Sequence, residues 1–493
     1  MPGQHDRGEG VGMGLFTWEK VDPAPGEAVA PHQRLSWGKT IGLGAQHVVA
    51  MFGATFVFPL IMGLDANLAI MFSGVCTILF LLIVKNKVPS YLGTSASFVG
   101  GVFAIRASGG DSSDVTGAIM VAGLLLGAIG LAVHFGGTGL INRLLPPAVT
   151  GAVVMLIGFN LAPVVANTYW PQDQWVALAT ASFMVVAAVL LPGFWSRIAV
   201  FLALVFGYAL SYALDLTTGT ISSVLPGANT LDADGNPCTP EGLYCVATAF
   251  EHDRVNWDAV GNASWLGFPS GTLGDGVSVV HGPSFSLTFI LLVIPGVIAL
   301  IAENTGHVKA VAEMTGEDLD PYMGRAIGAD GFATAFSSAF GGSPTTTYAE
   351  NIGVMSATRV YSTAAYYVAA IVAILLGLCP KFGAVVNAIP GGVLGGITVV
   401  LYGMIGLVGA KIWVENRVDF GNPVNLVGLA AGIIVGVGDV TLVVTDDFQI
   451  GGIALGTILV LVYYHLVNRG RAATGGGSRR ATPDDGDGVR KTA

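Results

Sequence analysis

Glu350 stands in the stretch TTTYAENIGVM, Thr345 to Met355, within a chain built largely of apolar runs. Four further ionisable residues fall inside such runs: His47 in GAQHVVAMFGAT, Glu303 and His307 in IALIAENTGHVKAV, and Asp330 in GADGFA. A charge at the centre of a bilayer costs about 2.5 to 3.5 kcal/mol on insertion scales, so such groups mark a pathway or meet a partner. The i, i+4 spacing of Glu303 and His307 puts them on one helix face, within reach of each other. A carboxylate beside an imidazole, both partly desolvated, can exchange a proton near neutral pH; as a bland alternative the two form a structural ion pair at a helix end. His47 reads either as a satisfied packing group or as a ligand. Asp330, beside Gly328 and Gly331, either caps a broken helix or lies on a proton path. Glu350 has the weakest bland reading, because it lies inside an interrupted segment.

Around Glu350 the sequence gathers Tyr348, a Ser/Thr run and the free backbone N–H groups of a broken helix, with carboxylates but no buried cation. An anion would call for a cation. The chemistry fits a neutral planar ligand that gives N–H donors to carboxylates and takes backbone N–H groups on its carbonyl oxygens. A nucleobase is such a molecule.

The elements that position these residues are membrane spans. The 493 residues are 53% hydrophobic and only 11% charged, with mean hydropathy +0.68, whereas soluble domains carry roughly a quarter charged residues. Apolar runs recur from about residue 38 to 467, and each crossing needs about 20 residues. The runs predict spans at 38–62, 66–84, 89–107, 115–136, 148–166, 174–193 and 197–216, and, after a polar loop, at 284–310, 324–341, 345–359, 361–378, 390–410, 423–438 and 449–467. The opening MPGQHDRGEG lacks a basic start followed by an apolar run, so the first span is expected to direct insertion. Both polar ends read as disordered tails. No basic, aromatic-interleaved patch points to nucleic acid, and the net charge of −10 is spread over loops and tails. Cys76 and Cys379 sit in apolar segments as small core residues; Cys238 and Cys245, in CTPEGLYC, are a plausible disulfide in a loop outside the cytoplasm.

Alternating the loops across the bilayer splits the 22 Lys and Arg residues 19 to 3, so the positive-inside rule puts both termini in the cytoplasm. The halves, 38–216 and 284–467, are of nearly equal length and each has an odd number of spans. They therefore face opposite ways, as an inverted repeat. Such repeats belong to secondary transporters, whose sites lie at paired Gly/Pro-interrupted segments. Here the pair is KVPSYLGTSASFVGG, Lys87 to Gly101, and GGSPTTTYAENIGVM, Gly341 to Met355.

These motifs resemble the nucleobase–ascorbate transporters, in their uracil and pyrimidine permease branch. The family's signature stands as ENIGVMSATR, Glu350 to Arg359; the early Gln-His pair is Gln46-His47; PSYLGTS is Pro89 to Ser95; and the Glu-x-x-Gly-His cluster is ENTGH, Glu303 to His307. The stretch DPYMGRAIGADGFAT is similar to pyrimidine permeases of the uracil-catabolic type, and the resemblance covers nearly all of 38–467.

The resemblance implies an all-α polytopic membrane protein of 14 transmembrane segments in a seven-plus-seven inverted repeat, with two short strands in the third and tenth segments. The expected order is a cytoplasmic tail (1–37), a core domain first half (38–136), a gate domain first half (137–216), an extracytoplasmic loop (217–283), a core second half (284–378), a gate second half (379–467) and a disordered tail (468–493). It implies that Glu303 and Glu350 accept hydrogen bonds from the ring, that backbone around Ala96 and Ala349 donates to its carbonyls, and that Tyr348 and the gate residue Tyr402 line the site. His307 would support Glu303 and join it, Asp330 and His47 in proton coupling. It further implies a proton symporter of the cytoplasmic membrane with no cofactor beyond the coupling proton, its partners being the base, the bilayer and a second copy through the gate domain.

Uracil permeases of the best-known type carry Phe at the position of Ala96, so the pocket here is expected to be wider and to admit thymine. Xanthine and urate transporters usually carry Gln at the position of Glu350, and only an amide can donate. A xanthine or guanine permease is the alternative within transport, and a passive facilitator or channel the alternative in mechanism. No nucleophile–base pair, phosphate loop or metal cluster supports an enzyme. Sulfate-type anion carriers share the topology but lack the Glu-x-x-Gly-His and Glu-Asn pairing.

Overall fold

The computed structural model describes residues 16–24, 27–223, 250–445 and 448–473; Cys238 and Cys245 lie outside them. The first half contains α1 (Trp37–Met62), α2 (Ala66–Ile83), strand β1 (Leu92–Thr94), a 3-10 turn (Ala96–Phe98), α3 (Val99–Ala107), α4 (Ser112–Gly136), α5 (Pro147–Asn160), α6 (Gln174–Leu190) and α7 (Ala199–Thr218). The second half contains α8 (Leu287–Thr315), α9 (Asp320–Ser338), strand β2 (Thr345–Thr347), α10 (Ala349–Thr358), α11 (Thr363–Gly377), α12 (Pro380–Asn387), α13 (Gly391–Glu415), α14 (Pro423–Val437) and α15 (Gly452–Ala473). Among the described residues eight helices are long and apolar enough to cross a membrane, or nine if α11 and α12, bent by 81°, form one span. The segments holding α3, α6 and α14 are apolar but shorter. The chain is thus a mostly helical, polytopic membrane protein.

Two sets of contacts organise the helices. α4 packs along α9 and α8, and α2 along α11, which also meets α1; separately, α13 packs on α5 and α6, and α14 on α15. α8 touches both sets, through α4 on one side and α5 and α15 on the other. The α4–α9 seam is made of small residues, as close helix approach in lipid requires: a Cβ on Gly130 would lie 2.2 Å from Gly328 N, and one on Gly331 2.3 Å from Gly127 N. Those glycines do not break α9, which runs unbroken through Asp330. The capping role for Asp330 is therefore excluded.

β1 and β2 form an antiparallel pair, with Leu92 opposite Thr347 and Thr94 opposite Thr345. The sequence puts them there because Pro89 and Pro344 stop helices and because β-branched threonines suit extended backbone. Ser95 N–H donates to Pro344 O (2.9 Å) and Tyr348 N–H to Tyr91 O (3.0 Å), extending the ladder at both ends. All six strand residues are buried, and this mutual pairing is what permits non-helical backbone inside a membrane.

Other short strand pairs lie outside the helices. Ile221–Ser223 pairs with Phe250–His252, and Leu442–Thr445 with Phe448–Ile450. The polar loop is anchored to both sets of helices: Arg254 pairs with Asp173 (2.8 Å) and Asp215 (3.2 Å), while Asp275 accepts from Arg106 and from the N–H and hydroxyl of Ser112.

The tail expectation needs correction at both ends. Glu19–Lys20 pairs with Gln33–Arg34, Val29 exchanges backbone hydrogen bonds with Arg359 and Tyr361, and Trp18 Nε1 donates to Thr363 Oγ1 (2.8 Å). Aromatic residues and strand pairing give this segment something to bury, which its overall polarity concealed. At the other end α15 continues past residue 467 to Ala473.

Candidate functional site

Each strand leads directly into the N-terminus of a half-helix: β1 through Ser95 into the turn at Ala96, and β2 through Tyr348 into α10 at Ala349. The first N–H groups of a helix have no partner within it and carry its positive dipole end. Two such ends therefore meet across one strand pair. Tyr348 fastens them together, its hydroxyl donating to Thr94 O (2.9 Å) and accepting from Thr55 Oγ1 (3.1 Å). Gly93 leaves room for that ring, since a Cβ there would lie 2.4 Å from Tyr348 Cζ.

Beside the buried strands runs a face that the chain leaves partly uncovered. Ala96, Ser97, Glu303, Thr305, His307 and Glu350 are half-buried and Ala349 is exposed. Glu303 and Glu350 both keep accessible surface on this face. The accessible residues continue along one face of α10, through Gly353 to Ala357, and along α8 through Gly306 to Glu313. The α10 stripe runs toward the end of the molecule where Val29 meets Arg359. The opposite half of α8, from Pro295 to Ile301, is buried.

Three carboxyl groups share this region, with Glu303 in the fields of Asp330 and Glu350. The ion pairs among the described residues lie elsewhere. Glu303 stands near the Thr346 hydroxyl, a buried atom with no partner of hydrogen-bonding geometry. Unsatisfied buried polar atoms are rare in native proteins, and this one borders the accessible face.

The remaining residues singled out in the sequence fall into place around this centre. His307 Nδ1 lies 2.7 Å from Thr347 Oγ1; its hydrogen bond is to β2, whereas the expectation had it supporting Glu303. Asp330 takes Asn304 Nδ2 (2.7 Å) and Thr345 Oγ1 (3.2 Å). His47, whose partner was not identifiable in the sequence, is held by Asn351, whose Nδ2 lies 3.2 Å from its Nδ1 and donates to its carbonyl (3.0 Å); its ring also packs on Tyr366. His47 thereby ties α1 to α10. Tyr402 is buried beside Tyr169 with its hydroxyl unpartnered, and the polar contacts that join the other residues do not include it. Cys76 is buried, with its thiol toward Ala333 O. Asn304, Thr345 and Thr347 were missed by sequence reasoning, although Asn304 sits inside the ENTGH cluster that held the signal.

A polytopic helical membrane protein with broken helices meeting at a polar, accessible centre belongs to the class of secondary transporters. The chain belongs to the permease family whose model, Xan_ur_permease, matches residues 38–445. It is 40% identical over 465 residues to the Escherichia coli (strain K12) protein named "Putative pyrimidine permease RutG", covering 93% of this chain and 96% of that protein. It is 33% identical over 447 residues to the uracil permease of Bacillus caldolyticus (88% and 94% covered) and 32% identical over 444 residues to that of E. coli K12 (88% and 92%). Among solved structures the fold is similar to the transmembrane domain of the cyanobacterial bicarbonate transporter BicA (TM-score 0.54, 14% identity, 89% of this chain and 100% of that one). It is also similar to murine Slc26a9 in its inward-facing state (TM-score 0.59, 12% identity, 88% and 69%). At such identities the likeness is one of fold alone. The chain is a nucleobase transporter of the permease family and not an enzyme.

Proposed function

We propose that this protein is a proton-coupled symporter importing uracil by alternating access, with thymine as the next base its site admits. One arrangement carries the reading: two half-helix N-termini at Ala96 and Ala349 meet across the β1–β2 pair beside Glu303 and Glu350. In this reading the two carboxylates accept the N–H groups of the ring and the backbone N–H groups at Ala96 and Ala349 take its carbonyl oxygens. Tyr348 braces the strand pair, and Tyr402 closes the site from the opposite set of helices. His307, Glu303, Asp330 and His47 carry or support the coupling proton.

The chain is read as 14 segments in two inverted sets of seven. The helices around α4, α9, α2 and α11 form the core domain, and those around α13, α5 and α14 the gate domain, through which two copies pair. Both termini lie in the cytoplasm of a cell whose inner membrane holds the protein. In this reading the accessible stripe of α10 leads from the site toward the cytoplasmic side. The coupling proton removes one unit of negative charge from the site, and the core can then move against the gate at a lower desolvation cost.

The test is radiolabelled uracil uptake in cells lacking their own nucleobase permeases, with and without a protonophore and against excess thymine or xanthine. Uptake that requires the gradient and yields to pyrimidines alone is expected. Uptake displaced by xanthine would replace the substrate assignment, and equilibration that survives the protonophore would replace the symport mechanism.

A further inference from the structure

Asn304 and Thr347 are buried polar residues to which the reading above gives no part. Asn304 follows Glu303 on α8 but is fully buried, away from the accessible face. Its Nδ2 donates to Leu300 O (3.0 Å) and to Asp330 Oδ2 (2.7 Å). Two acceptors fix the amide, because the flipped form would set its oxygen against a carbonyl and a carboxyl group. The Leu300 carbonyl holds that orientation whatever the charge on Asp330. Asn304 Oδ1 is then an acceptor only, and it takes the proton of Thr347 Oγ1 at 3.3 Å. A hydroxyl has a single proton to give. Thr347, having given its own to Asn304, can only accept from His307 Nδ1, 2.7 Å away. With the Thr347 proton on Asn304, the chain from Asp330 through Asn304 and Thr347 to His307 has a single direction, and His307 Nδ1 is its donor.

We propose that Asn304 and Thr347 are positioning residues that hold His307 in its Nδ1–H tautomer, so that Nε2 is the one nitrogen of the ring open to a proton. A proton arriving in the cleft bonds to the Nε2 lone pair and gives an imidazolium whose Nδ1–H stays on Thr347. Its release breaks the same Nε2–H bond and restores the starting tautomer. The carboxyl groups around this network are Asp330, which anchors it, and Glu303 and Glu350, which line the face beside it. The inference rests on the proposed part of His307 in proton coupling, but the tautomer itself can be read without transport.

The experiment is solid-state nitrogen-15 NMR of the full chain, histidine-labelled, in liposomes, with the His307 signals identified by their loss in His307→Gln. Wild-type protein is expected to show a protonated Nδ1 and a bare Nε2 for neutral His307. An Nε2–H tautomer would overturn the proposal. In Thr347→Val the signals should divide between tautomers and proton-driven accumulation of uracil should fall by about tenfold, on the scale of lost outer-sphere orientation, while uracil binding and counterflow exchange change by less than about twofold. Thr347→Ser should restore accumulation. Accumulation unchanged in Thr347→Val, or binding and exchange falling in step with it, would make Thr347 a mere packing residue and sink the idea. If wild-type protein shows the expected tautomer and accumulates no uracil, the substrate or coupling reading fails and the positioning inference stands.

Discussion

The two interrupted segments place strand, connecting residue and half-helix in the same order, yet they differ in what they leave open. In the first, Leu92–Thr94 is followed by Ser95, whose side chain accepts from Ser97 N–H (3.2 Å) and so caps its own turn. In the second, Thr345–Thr347 is followed by Tyr348, which makes no side-chain cap. Its hydroxyl reaches across to the first segment. Where the first turn carries Ser97, the second carries Glu350. The first segment is thus a nearly self-satisfied backbone platform, and the second supplies charge and the cross-brace.

Substitution at the paired positions gives the sharpest break. Glu350→Gln should lower uracil uptake by about 10- to 100-fold, the scale of losing a hydrogen bond to a charged group worth about 1.5–3 kcal/mol. Ser97→Ala, at the matching position, should change it by less than about threefold, the scale of a weak neutral hydrogen bond. Equal losses in the two variants would erase the asymmetry.

Tyr348→Phe removes the brace and leaves Thr94 O and Thr55 Oγ1 without their phenol partner. A loss of about 1–3 kcal/mol is expected for such buried groups, read as a lower melting temperature in detergent. A smaller effect falls on selectivity. Ala96→Phe restores a wall to the first segment and should weaken thymine as a competitor by about tenfold, within the range of steric discrimination in apolar pockets. Uracil uptake should change by less than about threefold. Undiminished competition would place the specificity wall elsewhere.

The smallest effect concerns the outer end of the first segment, where Arg106 at the end of α3 meets Asp275. Burial pushes the Asp275 carboxyl up, but hydrogen bonds from Ser112 and Arg106 outweigh it and hold the group below its ordinary range. A carboxyl depressed in the folded state adds stability that is present above its unfolded value, about pH 4, and lost as the pH falls through the lower folded value. Asp275→Asn should therefore lower the melting temperature slightly near neutral pH and flatten its fall below about pH 4. A variant that melts with the wild-type acid profile would remove Asp275 as the clasp of this loop.

The site was legible where chemistry and context coincide in one stretch. Glu350 was visible because a carboxylate inside a Pro- and Thr-interrupted run has few bland explanations, and Glu303 with His307 because their spacing fixes a shared face. Asp330 was visible as a charge but not as to role, since its two glycine neighbours equally fit a broken helix and a close helix contact. The contact with α4 decides that. His47 had no identifiable partner because Asn351 lies 304 positions away.

By itself the sequence determined that the chain is membrane-embedded, that two broken segments recur in matching places, and which residues carry charge there. These follow from local composition, since each apolar run and each Pro/Gly interruption acts on its own stretch of backbone. Tertiary structure decided the pairing of β1 with β2, the burial of Val29 against the end of α10, and the order of hydrogen bonds from Asp330 to His307. Such links join residues far apart in the chain. Directional bonds between distant groups depend on which helices become neighbours, and no local pattern encodes that choice.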